Sequence, residues 1–137
     1  MSSSDLMVKA KRAAMSAQSL LDDGDPDGAV NRAYYAMFDA AKAALISAGV
    51  PQGKTHKGTL AAFSEHFVKT GIISTETGRS LKWAETVRLA ADYSDESVDL
   101  DTAQKIVQET ERFISVVERK IKLPQEQRNS EPRRPGP

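Results

Sequence analysis

Small and apolar residues recur every third or fourth position along most of this chain, which is the spacing that places side chains on one face of an α-helix. Aromatic residues make up 6% of the sequence, and no segment sustains the two-residue alternation of a half-buried strand. These patterns predict an all-α fold. Because the predicted connections are short, we expect an up-and-down antiparallel bundle of four long helices plus one short helix.

Five helices are predicted from the apolar stripes and from residues that commonly begin or end helices. Asp25 and Pro26 suit a helix start, since aspartate caps free backbone N–H groups and proline fits the first turn. Ser74 can cap another helix, and Gly49 and Gly71 suit helix ends. The predicted helices span about 5–21, 26–48, 59–69, 75–93 and 99–122, with the last start at Asp99 or Asp101.

The chain of 137 residues is long enough for one domain with a hydrophobic core and too short for two substantial ones. The predicted helical domain covers residues 1–123. From Pro124 onward the sequence has no apolar residue to bury, so ordering it would cost backbone entropy without compensation. Residues 124–137 are therefore predicted to form a disordered C-terminal tail.

Composition excludes several classes of function. The absence of cysteine excludes a disulfide framework, a thiolate zinc site and a cysteine nucleophile, and it suits a reducing cytoplasm. Basic and acidic residues number 19 each, so RNA or a membrane would have to be bound by a local patch. No stretch approaches the roughly 20 apolar residues of a membrane span. We expect a cytoplasmic protein with no cofactor, no metal and no membrane contact.

Three segments, taken in order, resemble the HEPN superfamily and in particular its small stand-alone prokaryotic members. They are NRAYYAMFDAAKAALISAG at 31–49, KTHKGTLAAFSEHFVKTG at 54–71 and RLAADYSD at 88–95. The resemblance implies a helical bundle that works as a homodimer. It also implies RNA or nucleotide binding, metal-independent RNA cleavage of the toxin–antitoxin or RNA-processing kind, and a minimal nucleotidyltransferase as partner. The alternative is a non-catalytic dimeric module that binds such a nucleotidyltransferase.

The resemblance indicates Arg88 as the first residue of a catalytic motif. Nuclease members of the family carry an arginine followed four to six residues later by a histidine, whereas here Asp92 and Tyr93 follow and no histidine lies downstream. Arg88, Asp92 and Tyr93 are the catalytic candidates. Because Arg88 and Asp92 lie four residues apart, they can instead form an ordinary ion pair on one helix face.

Cleavage of RNA without a metal requires a base for the attacking 2′-hydroxyl, an acid for the leaving oxygen and a cation for the phosphorane. Arg88 supplies only the cation. Asp92 would have to hold a proton more tightly than an ordinary aspartate does, and a neighbouring arginine has the opposite effect. Tyr93 exchanges protons poorly near neutral pH unless its surroundings perturb it. On chemical grounds this set is weaker than an arginine–histidine pair.

A second set of candidates lies on the predicted second helix, where Arg32, Tyr35 and Asp39 follow helical spacing opposite the apolar stripe. Asn31 adjoins them. The set suits a buried polar network or an interface, with Tyr35 supplying contact area and Arg32 pairing with an acid. In the alternative, Arg32 binds a phosphate and Tyr35 stacks on a base of RNA or a nucleotide.

A third set lies in the loop before the predicted third helix, at Lys54, Thr55, His56 and Lys57. Its glycines and lysines suggest phosphate binding, although the spacing is not that of a P-loop and no strand precedes it. In the alternative, Thr55 caps the third helix and both lysines are solvated. Basic residues outnumber acidic ones over 51–88, which favours an anionic ligand.

His56 and His66 are the only histidines of the chain, and two histidines without a suitable carboxylate arrangement do not define a metal site. His66 is predicted to be a hydrogen-bonded structural residue on a helix that needs a buried face. Trp83 is predicted to be a partly buried packing or dimer residue.

Overall fold

Five α-helices follow one another along residues 2–121, the part of the chain that the computed structural model describes. The predicted all-α bundle of four long helices and one short helix is confirmed. The tail predicted at 124–137 lies outside the described residues. The helices are α1 (Ser3–Asp22), α2 (Pro26–Ser47), α3 (His56–Phe63), α4 (Thr75–Asp92) and α5 (Leu100–Ile121).

Capping residues set the starts of the first two helices. Ser2 and Asp5 form a reciprocal capping box at the start of α1. Asp25 Oδ1 accepts a hydrogen bond from the Gly28 N–H at 2.9 Å, so α2 begins at Pro26 as the sequence predicts. These local signals explain why the long helices lie close to their predicted positions.

The third helix differs from the predicted single helix over 59–69. It begins three residues earlier, at His56, because Thr55 Oγ1 accepts a hydrogen bond from the Gly58 N–H at 2.9 Å and caps it. One turn of π-helix then follows at Ser64–Val68. The predicted start was wrong because the polar residues around His56 show no apolar stripe, whereas the cap acts through a single hydroxyl.

Helix α2 lies at the centre of the bundle and packs against each of the other four α-helices. Ser3 Oγ, at the start of α1, donates a hydrogen bond to the carbonyl of Ala43, near the end of α2, at 2.8 Å. Helix α1 is therefore antiparallel to α2. Asp27 Oδ1 accepts a hydrogen bond from the Val98 N–H at 2.7 Å, which brings the chain just before α5 beside the start of α2.

Two kinds of side chain fill the core. Buried alanines in α1 and α2 allow close approach of the helix backbones. Large rings fill the remaining space, and the centroid of the Phe63 ring lies 5.7 Å from that of Phe113 and 5.4 Å from that of Phe67. These ring contacts fix α3 and the π-helical turn against α5, and thereby fix the position of the loop that leads into α3.

The tight packing of α2 generates a stability prediction. Ala40 has no exposed surface, so an Ala40→Leu substitution forces a larger side chain into filled space. We expect it to lower the free energy of unfolding by about 1–3 kcal/mol, measured by urea denaturation. The matched Ala61→Leu variant, at an exposed position of α3, should change it by less than about 0.5 kcal/mol. Equal losses in both variants would contradict close packing at Ala40.

Candidate functional site

Five side chains from three helices meet beside the N-terminus of α3. Tyr34 and Phe38 lie four residues apart and therefore share one face of α2, and Tyr35 flanks them. His56 is the first residue of α3, and Arg88 lies in the last part of α4. We call this group the Arg88–His56 cluster.

His56 is held by all three aromatic side chains of the cluster. Its ring stacks on that of Phe38 with the centroids 4.2 Å apart, and the Tyr35 ring meets it edge-on at 5.5 Å. The Tyr34 hydroxyl lies 3.2 Å from His56 Nδ1 and shares a hydrogen bond with it. The imidazole therefore has a fixed position and orientation.

The loop before α3 folds back tightly on the start of the helix. Thr59 Oγ1 donates a hydrogen bond to the carbonyl of Gln52 at 2.8 Å. Gly53 has φ +83°, and a Cβ there would lie 2.9 Å from the carbonyl carbon of Gly58. Only glycine fits this conformation and this close approach. With the Thr55 cap, these contacts set the direction in which His56 leaves the backbone.

Arg88 lies over the tyrosine pair. Its side chain is 14% exposed, and its Cζ lies 4.6 Å from the centroid of the Tyr34 ring and 5.7 Å from that of Tyr35. Arg88 Nη1 donates a hydrogen bond to Asp92 Oδ2 at 3.0 Å, which is the ion pair expected from their spacing. Arg88 Nε is buried and donates no hydrogen bond within the described residues. Such a donor costs free energy until an acceptor reaches the group.

The fold thus brings together an arginine and a histidine that the sequence motif does not connect. Arg88 and His56 contact the same two rings, those of Tyr34 and Tyr35. The histidine lies upstream of the arginine in the chain and on another helix. A motif search for a histidine downstream of Arg88 does not find it.

The Tyr34 hydroxyl keeps its proton at neutral pH. Burial raises the pKa of Tyr34 to about 12, the nearby charges of Glu85 and Tyr35 act in the same direction, and the Arg88 charge opposes them. A protonated hydroxyl can both donate and accept a hydrogen bond. Tyr34 can therefore serve either tautomer of His56.

Asp39 is a buried carboxyl in α2, one residue after Phe38. Burial raises the pKa of Asp39 above its ordinary value, and electrostatic interactions with Lys9, Lys42, Arg32 and His56 oppose this shift. Lys42 Nζ also lies over the Phe38 ring, 5.8 Å from its centroid. The flank of the cluster formed by α2 is therefore rich in positive charge.

Of the remaining candidates, those of the loop take part in capping or stay exposed. The Thr55 hydroxyl caps α3, whereas Lys54 and Lys57 are exposed and have no ion pair within residues 2–121. Tyr93 ends α4 with its side chain 88% exposed. The structure brings Tyr35, His56 and Arg88 together and leaves the two lysines and Tyr93 outside the cluster.

Sequence reasoning did not assign Tyr34 and Phe38 to a site, because both follow the apolar stripe of α2 and read as core residues. One available signal was the hydroxyl of a tyrosine inside that stripe, since a buried hydroxyl requires a partner. His66, in contrast, is half-buried beside Phe67, with the ring centroids 4.9 Å apart, and takes no part in the cluster.

The described residues contain neither a candidate metal site nor a helix that could span a membrane. No three histidine, aspartate or glutamate side chains of residues 2–121 come together as a group that could hold a metal ion. In the same part of the chain, every helix is too short or too polar to cross a membrane.

The family to which the chain belongs follows from its similarity to known proteins. The HEPN domain family model matches residues 3–120. The chain belongs to the HEPN family. A UPF0332 protein of Gloeobacter violaceus is 32% identical over 114 residues, which cover 82% of this chain and 90% of that protein. A UPF0332 protein of Thermotoga maritima is also 32% identical over 114 residues, or 82% of this chain and 86% of that one.

Two relatives, both from Methanocaldococcus jannaschii, are named as toxins. The Methanocaldococcus jannaschii protein named "Putative toxin MJ0605" is 34% identical to this HEPN protein over 94 residues, which cover 69% of each chain. The resemblance to HEPN proteins found in the sequence is therefore confirmed, and it includes toxin-like relatives.

The buried carboxyl of Asp39 leads to a prediction about pH. The pKa of Asp39 is raised above the ordinary 3.8. Between pH 3.8 and the raised value, the folded protein therefore retains a proton that the unfolded chain has lost. The stability that this carboxyl contributes is present below pH 3.8 and is lost as pH rises through the raised value. We therefore expect Asp39→Asn to be more stable than wild type near pH 7 but not near pH 3, measured by urea denaturation.

The control for this prediction is Asp95→Asn, at an exposed carboxyl in the loop after α4. The difference in free energy of unfolding between Asp95→Asn and wild type should be the same near pH 3 and near pH 7. An Asp39→Asn variant that is less stable than wild type near pH 7 would show that the attraction of the surrounding cations outweighs burial.

Proposed function

We propose that this HEPN protein is a toxin-type ribonuclease that binds RNA at the Arg88–His56 cluster and cleaves it without a metal ion. The observation that carries the proposal is the position of Arg88 over two tyrosines, whose rings His56 also contacts. Arg88 is a largely buried cation whose Nε makes no hydrogen bond within residues 2–121. A guanidinium suits the charge and geometry of a phosphodiester.

The cluster offers separate contacts for the two parts of a nucleotide. Arg88 binds the phosphate when the phosphate oxygens displace Asp92 from its ion pair. The Asp92 side chain is 48% exposed and can move into solvent. Tyr35 is half-buried, and its accessible part can stack on a base. Lys42 and Arg32 add positive charge on the α2 side, which favours an anionic chain.

The relatives and the sequence support the same function. Two of the similar proteins are named as toxins, and the stretch 51–88 is locally basic in a chain of zero net charge. We place the protein in the cytoplasm, where its RNA substrate would be found.

We further propose that the protein is a homodimer formed through the open face of α4. Leu81 and Ala84 are the buried residues of this helix, whereas Leu89 is 39% and Tyr93 88% exposed. Exposed apolar side chains near Arg88 suit a self-complementary interface. Such a dimer brings two Arg88 side chains to one cleft and concentrates positive charge on a single RNA strand.

The first test of the function is RNA binding and cleavage by the purified protein in EDTA. We expect wild type to bind and cleave a labelled single-stranded RNA. The Arg88→Ala variant should bind at least about tenfold more weakly, because a hydrogen bond to a charged group contributes about 1.5–3 kcal/mol. The control is Arg79→Ala, which removes an exposed arginine of the same helix. Arg88→Lys shows whether a point charge suffices.

The dimer is tested by analytical ultracentrifugation. We expect Leu89→Glu to give a monomer, because a charge at the centre of an apolar interface is desolvated without a partner. Met15 of α1 is 71% exposed and lies on a different surface, so Met15→Glu should remain dimeric. If Met15→Glu is the variant that dissociates, the interface lies on the surface around Met15 instead.

A second candidate function is favoured by the ion pair between Arg88 and Asp92. If that pair is structural, the protein is a non-catalytic dimeric module that binds a minimal nucleotidyltransferase. Co-expression with a nucleotidyltransferase encoded beside it would then give a stable complex, and Arg88→Ala would still form it. RNA left intact and unbound by wild type would favour this alternative.

A further inference from the structure

A histidine that contacts the same tyrosine rings as Arg88 adds proton transfer to the chemistry that the cluster can perform. Metal-independent cleavage of RNA needs a group that removes the proton of the 2′-hydroxyl and a group that protonates the leaving 5′-oxygen. Arg88 can do neither, because a guanidinium does not release its proton in proteins. An imidazole exchanges a proton readily near neutral pH and can act in both steps.

We propose that His56 is the catalytic acid–base residue of this site, an inference that rests on the proposed ribonuclease function. His56 Nδ1 is bound by the Tyr34 hydroxyl at 3.2 Å, and His56 Nε2 makes no hydrogen bond within the described residues. His56 is half-buried, so it is neither shut into the core nor freely solvated. In the proposal, Nε2 is the nitrogen that meets a substrate bound at Arg88, which contacts the same two tyrosine rings as His56.

The surroundings of His56 prepare it for this role. Stacking on Phe38 and the hydrogen bond to Tyr34 hold the ring in one orientation, which lowers the entropic cost of reaching the transition state. When Nε2 acts as a base, Nδ1 carries the ring proton and donates a hydrogen bond to the Tyr34 oxygen. Because Tyr34 remains protonated, it adds no negative charge beside the reacting phosphate.

The proposed reaction balances without any further reactant. His56 Nε2 accepts the proton of the 2′-hydroxyl while that oxygen bonds to the adjacent phosphorus, and Arg88 stabilises the negative charge on the phosphorane. The bond from phosphorus to the 5′-oxygen then breaks, and His56 returns the proton to that oxygen. The products are a 2′,3′-cyclic phosphate and a 5′-hydroxyl.

Other titratable groups near Arg88 are less suited to this task. Asp92 accepts a hydrogen bond from Arg88, and the Tyr93 side chain is turned out to solvent. Glu85 lies 3.9 Å from Lys82 Nζ. His66 packs against Phe67 in the π-helical turn, outside the cluster. His56 is the imidazole that shares its ring contacts with Arg88.

The test separates binding from chemistry with a single-stranded RNA of about 20 nucleotides and mixed sequence, in EDTA. His56→Gln keeps a polar side chain at this position but cannot transfer protons. We expect it to bind the RNA within about threefold of wild type and to cleave it about 100- to 10,000-fold more slowly. His66→Gln, which removes the other imidazole, should cleave at the wild-type rate. The wild-type product should carry a 2′,3′-cyclic phosphate.

A second variant tests whether a loss of cleavage reflects the missing imidazole or a change in the structure of the site. His56→Ala leaves space for a free imidazole, so added imidazole should restore part of its cleavage rate while leaving Arg88→Ala unchanged. Thermal melting of each variant shows whether it remains folded. If wild type cleaves and His56→Gln cleaves equally fast, His56 is not the acid–base residue and the ribonuclease function stands. If wild type neither binds nor cleaves RNA, the proposed function fails and this inference fails with it.

Discussion

The buried Tyr34 hydroxyl is the constraint on which the candidate site depends. Tyr34 has no exposed surface, and a phenol enclosed in a core is destabilising unless its hydroxyl has a partner. His56 supplies that partner from α3, and Arg88 covers the same ring from α4. The requirement of one buried group therefore joins three helices. Through those contacts the core itself sets the arrangement of the site.

A feature of the fold is predictable from the sequence when the residues that determine it lie close together in the chain. Asp25 and Pro26 act within one turn of the backbone, so the start of α2 was predicted correctly from the sequence. Thr55 provides the same kind of signal for α3, but the apolar stripe that predicts this helix begins only near Thr59, so the sequence predicts a later start. Helix type and approximate extent are local properties, and the sequence contains them.

The arrangement of His56 and Arg88 around the same rings, in contrast, is not determined by residues that are neighbours in the chain. It depends on the packing of α3 and α4 on α2, and no spacing between residues 56 and 88 expresses it. The sequence motif of the family has its two residues four to six positions apart, whereas here two helices bring His56 and Arg88 to the same pair of rings. Catalysis requires groups at suitable distances and is indifferent to their order in the chain. A motif defined by a short spacing in the chain therefore misses such a pair.

Two features of the site are costly for folding, and both lie where charge meets the core. Arg88 Nε has no acceptor among the described residues, and the Asp39 carboxyl is buried enough to hold its proton more tightly than usual. An alanine-lined bundle has no need of either group for packing. Polar groups kept at a cost to stability are commonly those that bind or react. The phosphate of an RNA strand would supply Arg88 with the acceptors that the protein leaves out, so ligand binding would recover part of that cost.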